Sequence, residues 1–306
     1  MKRCPALLAA AVLLLGPLAF GQTLWAPKGE PAAYSTPHQP LTKLRHLQAR
    51  HTGQQSWREL VIDDNMLRSE YVQAAPGTKV KRAMHPDTRT WWVVMEGEVA
   101  FDIETVPSFV ARKGSMVQCP MQTFFSWEVK GDKPALIYET NIAGAKTLYE
   151  SDVPPPPLAG LDWIRVKLSR QIGQFLRTNV PHVRYEEAAA RLEKSGQSME
   201  RFVDEDRAAV NFIYGYNAKL PPLDDRNRGH YHPEGGESWL IMQGPVRFPI
   251  ERIGVLIAET GDVVYVPANT FHAPRWWGDG STCRLAMNGF PQFAHLFDAD
   301  VAGARK

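Results

Sequence analysis

GHYHPEGGESWLIMQG, residues 229–244, sets two imidazoles, a tight turn and a carboxylate at the head of an apolar run. His230 and His232 alternate along an extended segment, so both side chains leave the same face of a strand. Glu237 follows the Pro233-Glu234-Gly235-Gly236 turn, which brings it back beside both histidines. Farther on, GDVVYVPANTFHAP, residues 261–274, delivers His272 behind a glycine, a strand and a turn centred on Pro267. Three imidazoles and one carboxylate suit a single divalent first-row transition metal, with positions left open for water or substrate. Manganese, iron and copper are favoured, and zinc and nickel also fit. An HxH pair alone is a weak signal. It becomes specific when Glu237 follows after five residues, Gly244 after seven more, and then Gly261, Pro267 and His272 in order.

The same stretch occurs earlier without its ligands. Sliding the chain by 147 residues lays His85 on His232, and the register holds without a gap from 85 to 141. Trp92 meets Trp239, Gly97 meets Gly244, Phe101 meets Phe248, Gly114 meets Gly261, Pro120 meets Pro267 and Asn141 meets Asn288. In all, 17 of 57 positions are identical, many of them glycines, prolines and aromatics that fix turns and cores. The chain is therefore read as a tandem repeat. In the first copy the four ligand positions are Ala83, His85, Thr90 and Phe125. One ligand of four survives there, so His85 is expected to be a hydrogen-bonded core or pocket residue.

The pattern resembles the cupin superfamily. His230, His232, Glu237 and Gly244 match its first motif, G-x5-HxH-x4-E-x6-G, except that Gly229 stands directly before His230 rather than six residues ahead. Gly261, Pro267 and His272 match the second, G-x5-P-x-G-x2-H-x3-N, with Asn269 in place of the inner glycine and Trp276 in place of the final asparagine. The resemblance covers roughly residues 60–141 and 205–290. It implies a mainly β chain of two tandem double-stranded β-helix (jelly-roll) barrels, a bicupin, with the metal site retained only in the second. Cupins include dioxygenases, decarboxylases, isomerases, lyases, storage proteins and sensors, so the resemblance leaves the activity open. A tandem arrangement with a three-histidine, one-glutamate site is similar to that of oxalate decarboxylases and flavonol dioxygenases.

The flanking sequence sets the organisation. Lys2 and Arg3 precede an apolar run from Ala6 to Phe20, and Ala19-Phe20-Gly21 offers a cut before Gln22, so residues 1–21 read as a secretory signal peptide. The mature protein is expected to be exported, periplasmic or secreted, with no membrane association after cleavage. Cleavage leaves 33 basic against 33 acidic side chains, a balance that gives no electrostatic reason to bind nucleic acid. A homo-oligomer is compatible with the sequence. Residues 22–56, rich in Pro, Gln and Thr, read as a loose N-terminal arm, 57–152 as the first repeat and 205–306 as the second. Between them, 153–204 opens with Pro154 to Pro157, a stiff connector. Two helices are expected after it. One runs about Asp162–Arg177, with Trp163, Val166, Ile172 and Phe175 on one face; the other is YEEAAARLEKSGQSMERFV, with Leu192, Met199, Phe202 and Val203 as its stripe. Cys119 and Cys283 fall in different repeats, which favours two buried thiols over a bridge.

Period 2 turns Trp239 and Ile241 inward with the ligands. Arg275, Trp276, Arg284 and Asn288 lie on or after the His272 strand, and Arg275 or Arg284 could hold a carboxylate through two parallel hydrogen bonds. Glu234 flanks the ligands as a candidate acid or base, although it also suits a turn cap; Tyr231 should point away. GYNAKLPPLDDRNRG, residues 215–229, reads as a lid or a plain loop. The candidate catalytic residues are thus Arg275, Arg284, Trp239 and Glu234. Taken together the chain reads first as a metal-dependent oxidoreductase, of dioxygenase or oxidative decarboxylase type. The Trp-rich surround (Trp239, Trp276, Trp277) suits a small oxygenated or aromatic molecule as substrate. A non-redox isomerase or lyase on a sugar acid, and a non-catalytic metal or ligand binder, stay open.

Overall fold

The computed structural model describes residues 24–175, 179–290 and 293–299, so the leader sequence lies outside the described residues. Strands dominate. Six of them, Trp57–Asp63, Leu67–Ala74, Ala135–Ile142, Thr90–Glu96, Ser115–Cys119 and His182–Arg184, form one antiparallel sheet in that spatial order. A five-stranded sheet built around Glu98–Ile103 and Phe125–Lys130 faces it and closes the first barrel. Trp92, Phe101, Phe125, Ile137 and Val129 fill the space between the two sheets.

The second barrel repeats this plan. Its six-stranded sheet runs Met199–Glu205, Ala208–Tyr216, Ser281–Asn288, Glu237–Gln243, Val263–Val266 and Leu41–Thr42. Smaller sheets containing Val246–Ile250, Gly254–Ala258 and His230–Tyr231 face it. The interior holds Trp239, Ile241, Phe248, Val264 and Ala286.

The two large sheets pack back to back. In Ala135–Ile142, Ala135 and Ile137 enter the barrel while Leu136 and Tyr138 enter the core between the barrels, and Ser281–Asn288 does the same with Ala286 against Leu285 and Met287. Both faces are therefore buried, so burial along these strands is nearly continuous and does not alternate. Tyr71 donates to the Gly261 carbonyl across this interface. Cys119 belongs to the first barrel's interior and Cys283 to the core between barrels, both as free buried thiols.

Three expectations are corrected. The arm is docked rather than loose: Leu41–Thr42 pairs with Val264 and Val263, and Lys28 bonds Glu251 and the Asn269 carbonyl, all on the second barrel. Helix Leu44–Arg50 bridges the two barrels, with Leu44 N–H on Asp262 and Arg50 on Glu59. A two-residue strand on a sheet edge is held by backbone bonds, which leave no period in the sequence. Residues 162–175 are not helical. They lie extended along the first barrel, with Gly173 N–H donating to Met121 O, Gln171 N–H to the Gln122 side chain, and Arg170 paired with Glu104. Val166 and Ile172 are exposed, so their helical spacing packs nothing. The Ala- and Glu-rich helix spans only Tyr185–Ser195, because Gly196 ends it in the left-handed conformation at φ 70°. Met199–Glu205 is then a strand, and a register shift between Arg201 and Val203 lets consecutive Phe202 and Val203 both reach the core, imitating a helical stripe.

Candidate metal centre

The ligand strand His230–Tyr231 crosses the His272 segment in a two-bond bridge: His230 N–H donates to His272 O at 3.1 Å and His272 N–H returns to His230 O at 2.9 Å. Gly229 makes that crossing possible. At φ 75°, a Cβ there would sit 2.0 Å from the His272 carbonyl oxygen, so no other residue fits. This explains why position 229 is a glycine. Glu237 opens the next strand, Glu237–Gln243, and enters from the opposite sheet.

Donor atoms of His230, His232, Glu237 and His272 lie within 4.8 Å of one another, and each residue is 3% exposed or less. Glu237 Oε2 stands 2.9 Å from His232 Nε2, 3.2 Å from His272 Nε2 and 3.8 Å from His230 Nε2. The other ring nitrogens are committed: His232 Nδ1 lies 2.9 Å from Ala294 O, and His272 Nδ1 2.9 Å from Thr270 O. A backbone carbonyl only accepts, so Nδ1 carries the proton in both rings. In a neutral imidazole Nε2 is then a lone pair, and two lone pairs aim at a carboxylate oxygen. A cation among them, or protonation of the rings, relieves that repulsion, and a buried metal with outer carbonyls fixing the tautomer is the common solution. His230 Nε2 has no hydrogen-bond partner among the described residues. Burial depresses its pKa to about 3, which keeps the ring neutral. Burial alone would raise Glu237, but the imidazoles crowded around it hold it well below the ordinary carboxylate range. Neutral imidazoles around one carboxylate are what a divalent ion requires. The donors fit the metal.

Trp239 lies edge-on to His272 with ring centroids 5.1 Å apart, and it and Ile241 face inward as period 2 requires. Tyr231 turns the other way, packing on Phe271 at 5.0 Å. Glu234 is exposed on its turn and does not join the cluster. Arg275 is half-buried and bonded to Asn217 Oδ1 and Pro221 O, so it ties down residues 215–229. The Trp276 ring occupies the space above Gly215, where a Cβ would approach within 2.4 Å. Arg284 is buried, and burial lowers its pKa to about 10.

One residue at the centre escaped the sequence reading. The His295 ring lies 4.6 Å from both the His230 and His232 rings, and Phe293 stacks on His232 at 5.1 Å. Leu296–Phe297 pairs with the ligand strand, Phe297 opposite His230, and so brings this tail across the site. No motif spacing links position 295 to the ligands, and only the pairing reveals it.

The matching place in the first barrel is aromatic. His85 Nδ1 bonds Lys146 O at 2.9 Å, its ring lies 5.4 Å from Phe125, and Phe125 packs on Trp92 at 5.0 Å. Ala83 belongs to the apolar interior and Thr90 hydroxyl donates to Thr140 O.

No protein-family model and no curated protein matches this sequence. Solved structures do match it. The salicylate 1,2-dioxygenase of Pseudaminobacter salicylatoxidans superposes with a TM-score of 0.58 at 14% identity, covering 80% of this chain and 83% of that one. A deletion mutant of the Bacillus subtilis oxalate decarboxylase superposes at 0.50 with 14% identity, covering 86% of this chain and 80% of that one. The fold is a cupin fold. At these identities the likeness is one of architecture, and cupin architecture carries many chemistries.

Proposed function

We propose that this chain is an exported bicupin that binds one metal ion in its second barrel and oxidises a small oxygenated or aromatic organic molecule, as a dioxygenase or oxidative decarboxylase. The observation that carries this reading is the convergence of three imidazoles and a carboxylate in a buried cluster with opposed lone pairs. His230, His232, Glu237 and His272 would hold the ion. Once bound, manganese, iron or copper supplies one-electron chemistry and polarises a substrate oxygen.

The chain's own residues do the rest. Ala294 O and Thr270 O fix two imidazoles by their Nδ1 protons, so Nε2 keeps its direction. Trp239 and Ile241 line the inner wall and exclude water beside His272. Two cupins of similar fold, named for activity on salicylate and oxalate, support a small acid as the first substrate to try.

Purified full-length protein should retain about one metal ion per chain and consume oxygen with salicylate or oxalate. Two ions per chain would defeat the assignment to one barrel. Turnover that continues under argon would exclude oxidation and leave a lyase or isomerase.

A further inference from the structure

Beside the metal cluster the second barrel carries polar atoms that no group among the described residues satisfies. Arg284 is 7% exposed, and its Nε and Nη1 have no hydrogen-bond partner. Thr282 Oγ1, Asn288 Nδ2, Asn211 Oδ1 and Trp276 Nε1 are buried and equally unpartnered. Their placement is not scattered. Thr282, Arg284 and Asn288 share the face of Ser281–Asn288 that carries Ala286 into the barrel. Asn211 comes from the adjoining strand, opposite Ala286. Asn288 stands opposite Glu237, and Arg284 opposite Ile241, four residues along the same strand.

Buried native polar groups are almost always paired, and a charged one left alone is costly. Most of these orphans are donors: two guanidinium N–H groups, an amide, an indole and a hydroxyl. What they lack is an acceptor. The charge balance says the same. Glu237 is the carboxylate whose field reaches Arg284, yet the two form no ion pair and Glu237 is engaged by the imidazoles. With a divalent cation on Glu237 the interior would hold an uncompensated positive charge that only an entering anion can neutralise.

The first barrel supplies the control. Under the 147-residue register, Ile137, Ala135 and Val129 stand at the positions of Arg284, Thr282 and Trp276, and all three lie in the apolar interior. The framework therefore closes without an arginine there.

We propose that the second barrel selects a small carboxylate, and that Arg284 is the residue that anchors it, aided by Asn288 and the Trp276 indole. The carboxylate meets one edge of the guanidinium, where two parallel N–H groups match two carboxylate oxygens. This deepens the functional reading above and rests on it for the place of the metal, but the anchor itself needs no turnover to be detected.

The test is binding of formate, oxalate, succinate, benzoate and salicylate to the full chain, followed by calorimetry and tryptophan fluorescence, with benzamide as the uncharged control. At least one acid should bind, and Arg284→Ile should weaken it by about 30-fold or more while metal content stays the same. Arg284→Lys should recover part of the loss, since it keeps the charge and loses the fork. Binding of no acid, equal binding by wild type and Arg284→Ile, or benzamide binding as well as benzoate would overturn the proposal. Acid binding by a protein that never takes up metal would leave Arg284 as the anchor and sink the metal reading; metal uptake without acid binding would do the reverse.

Discussion

At the centre of the first barrel Phe125 packs between Trp92 and His85; at the matching point of the second, His272 meets Trp239 and Glu237. Around these centres the charges are reversed. The first barrel carries Glu70 and Glu139 on its inner strands, with Arg58 bonded to both and Arg68 bonded to Glu70. The second has Ala286 where the register puts Glu139, and Arg284 with no counter-charge at hydrogen-bonding distance among the described residues. One framework thus tolerates a satisfied aromatic filling and an unsatisfied polar one. Folding needs the glycines, prolines and Trp92/Trp239 that both copies share, and the differences are free to carry chemistry.

The largest expected effect comes from giving the second barrel an inert residue at its ligand position. His272→Ala should remove bound metal and cut any activity at least about 100-fold, because losing a direct ligand exceeds the cost of losing its supporting carbonyl. The fold should persist, since Phe125 serves the same place in the first copy; metal analysis alongside circular dichroism checks both halves.

Arg284→Ile transplants the first barrel's filling in the same spirit. In ligand-free protein it should raise stability by about 1–3 kcal/mol, since an unpaired buried charge is replaced by a hydrocarbon of similar volume. Urea unfolding without added acid measures this, and a destabilised variant would mean Arg284 is part of the fold.

A smaller effect is expected at Glu70. Burial alone would raise its pKa, but hydrogen bonds from Arg58 and Arg68 win and hold it below the ordinary carboxylate value. A depressed folded pKa stabilises fully above about 4.5, the ordinary value, and the stabilisation fades as pH falls through the folded one. Glu70→Gln should cost about 1–2 kcal/mol at neutral pH, discounted because both arginines are half exposed, and the difference should shrink towards pH 3 in chemical unfolding. The smallest effect is the most pointed. Phe125→His restores an imidazole beside His85 yet should add no metal, because Ala83 and Thr90 still provide no donors; a second ion per chain would refute the contrast between the barrels.

Much of this was legible in the chain itself. The gapless register from 85 to 141 announced two copies of one sheet plan, and the cluster of His230, His232, Glu237 and His272 was legible because a metal site demands fixed donors at fixed spacings. Trp239 facing inward followed from strand alternation. Arg284 could be named as a candidate, but its solitude could not, since an unpartnered donor is a property of everything around it. His295 reaches the site through strand pairing after an interval that no motif constrains. The segment from 162 to 175 has helical spacing yet lies extended because backbone bonds to Met121 and the Arg170–Glu104 pair hold it. Consecutive Phe202 and Val203 look helical only because a bulge puts both on one side.

The short strand Leu41–Thr42 ties the beginning of the chain to the second barrel, although the first barrel follows it in sequence. Severing the polypeptide within its proline run would therefore leave the carboxy-terminal lobe with Val263 and Val264 bare along an open margin, inviting self-association through that margin. The amino-terminal lobe would keep a girdle meant for its neighbour. The halves look like separable duplicates, yet ribosomal order obliges a strand made early to wait for the later half before it has an edge to join.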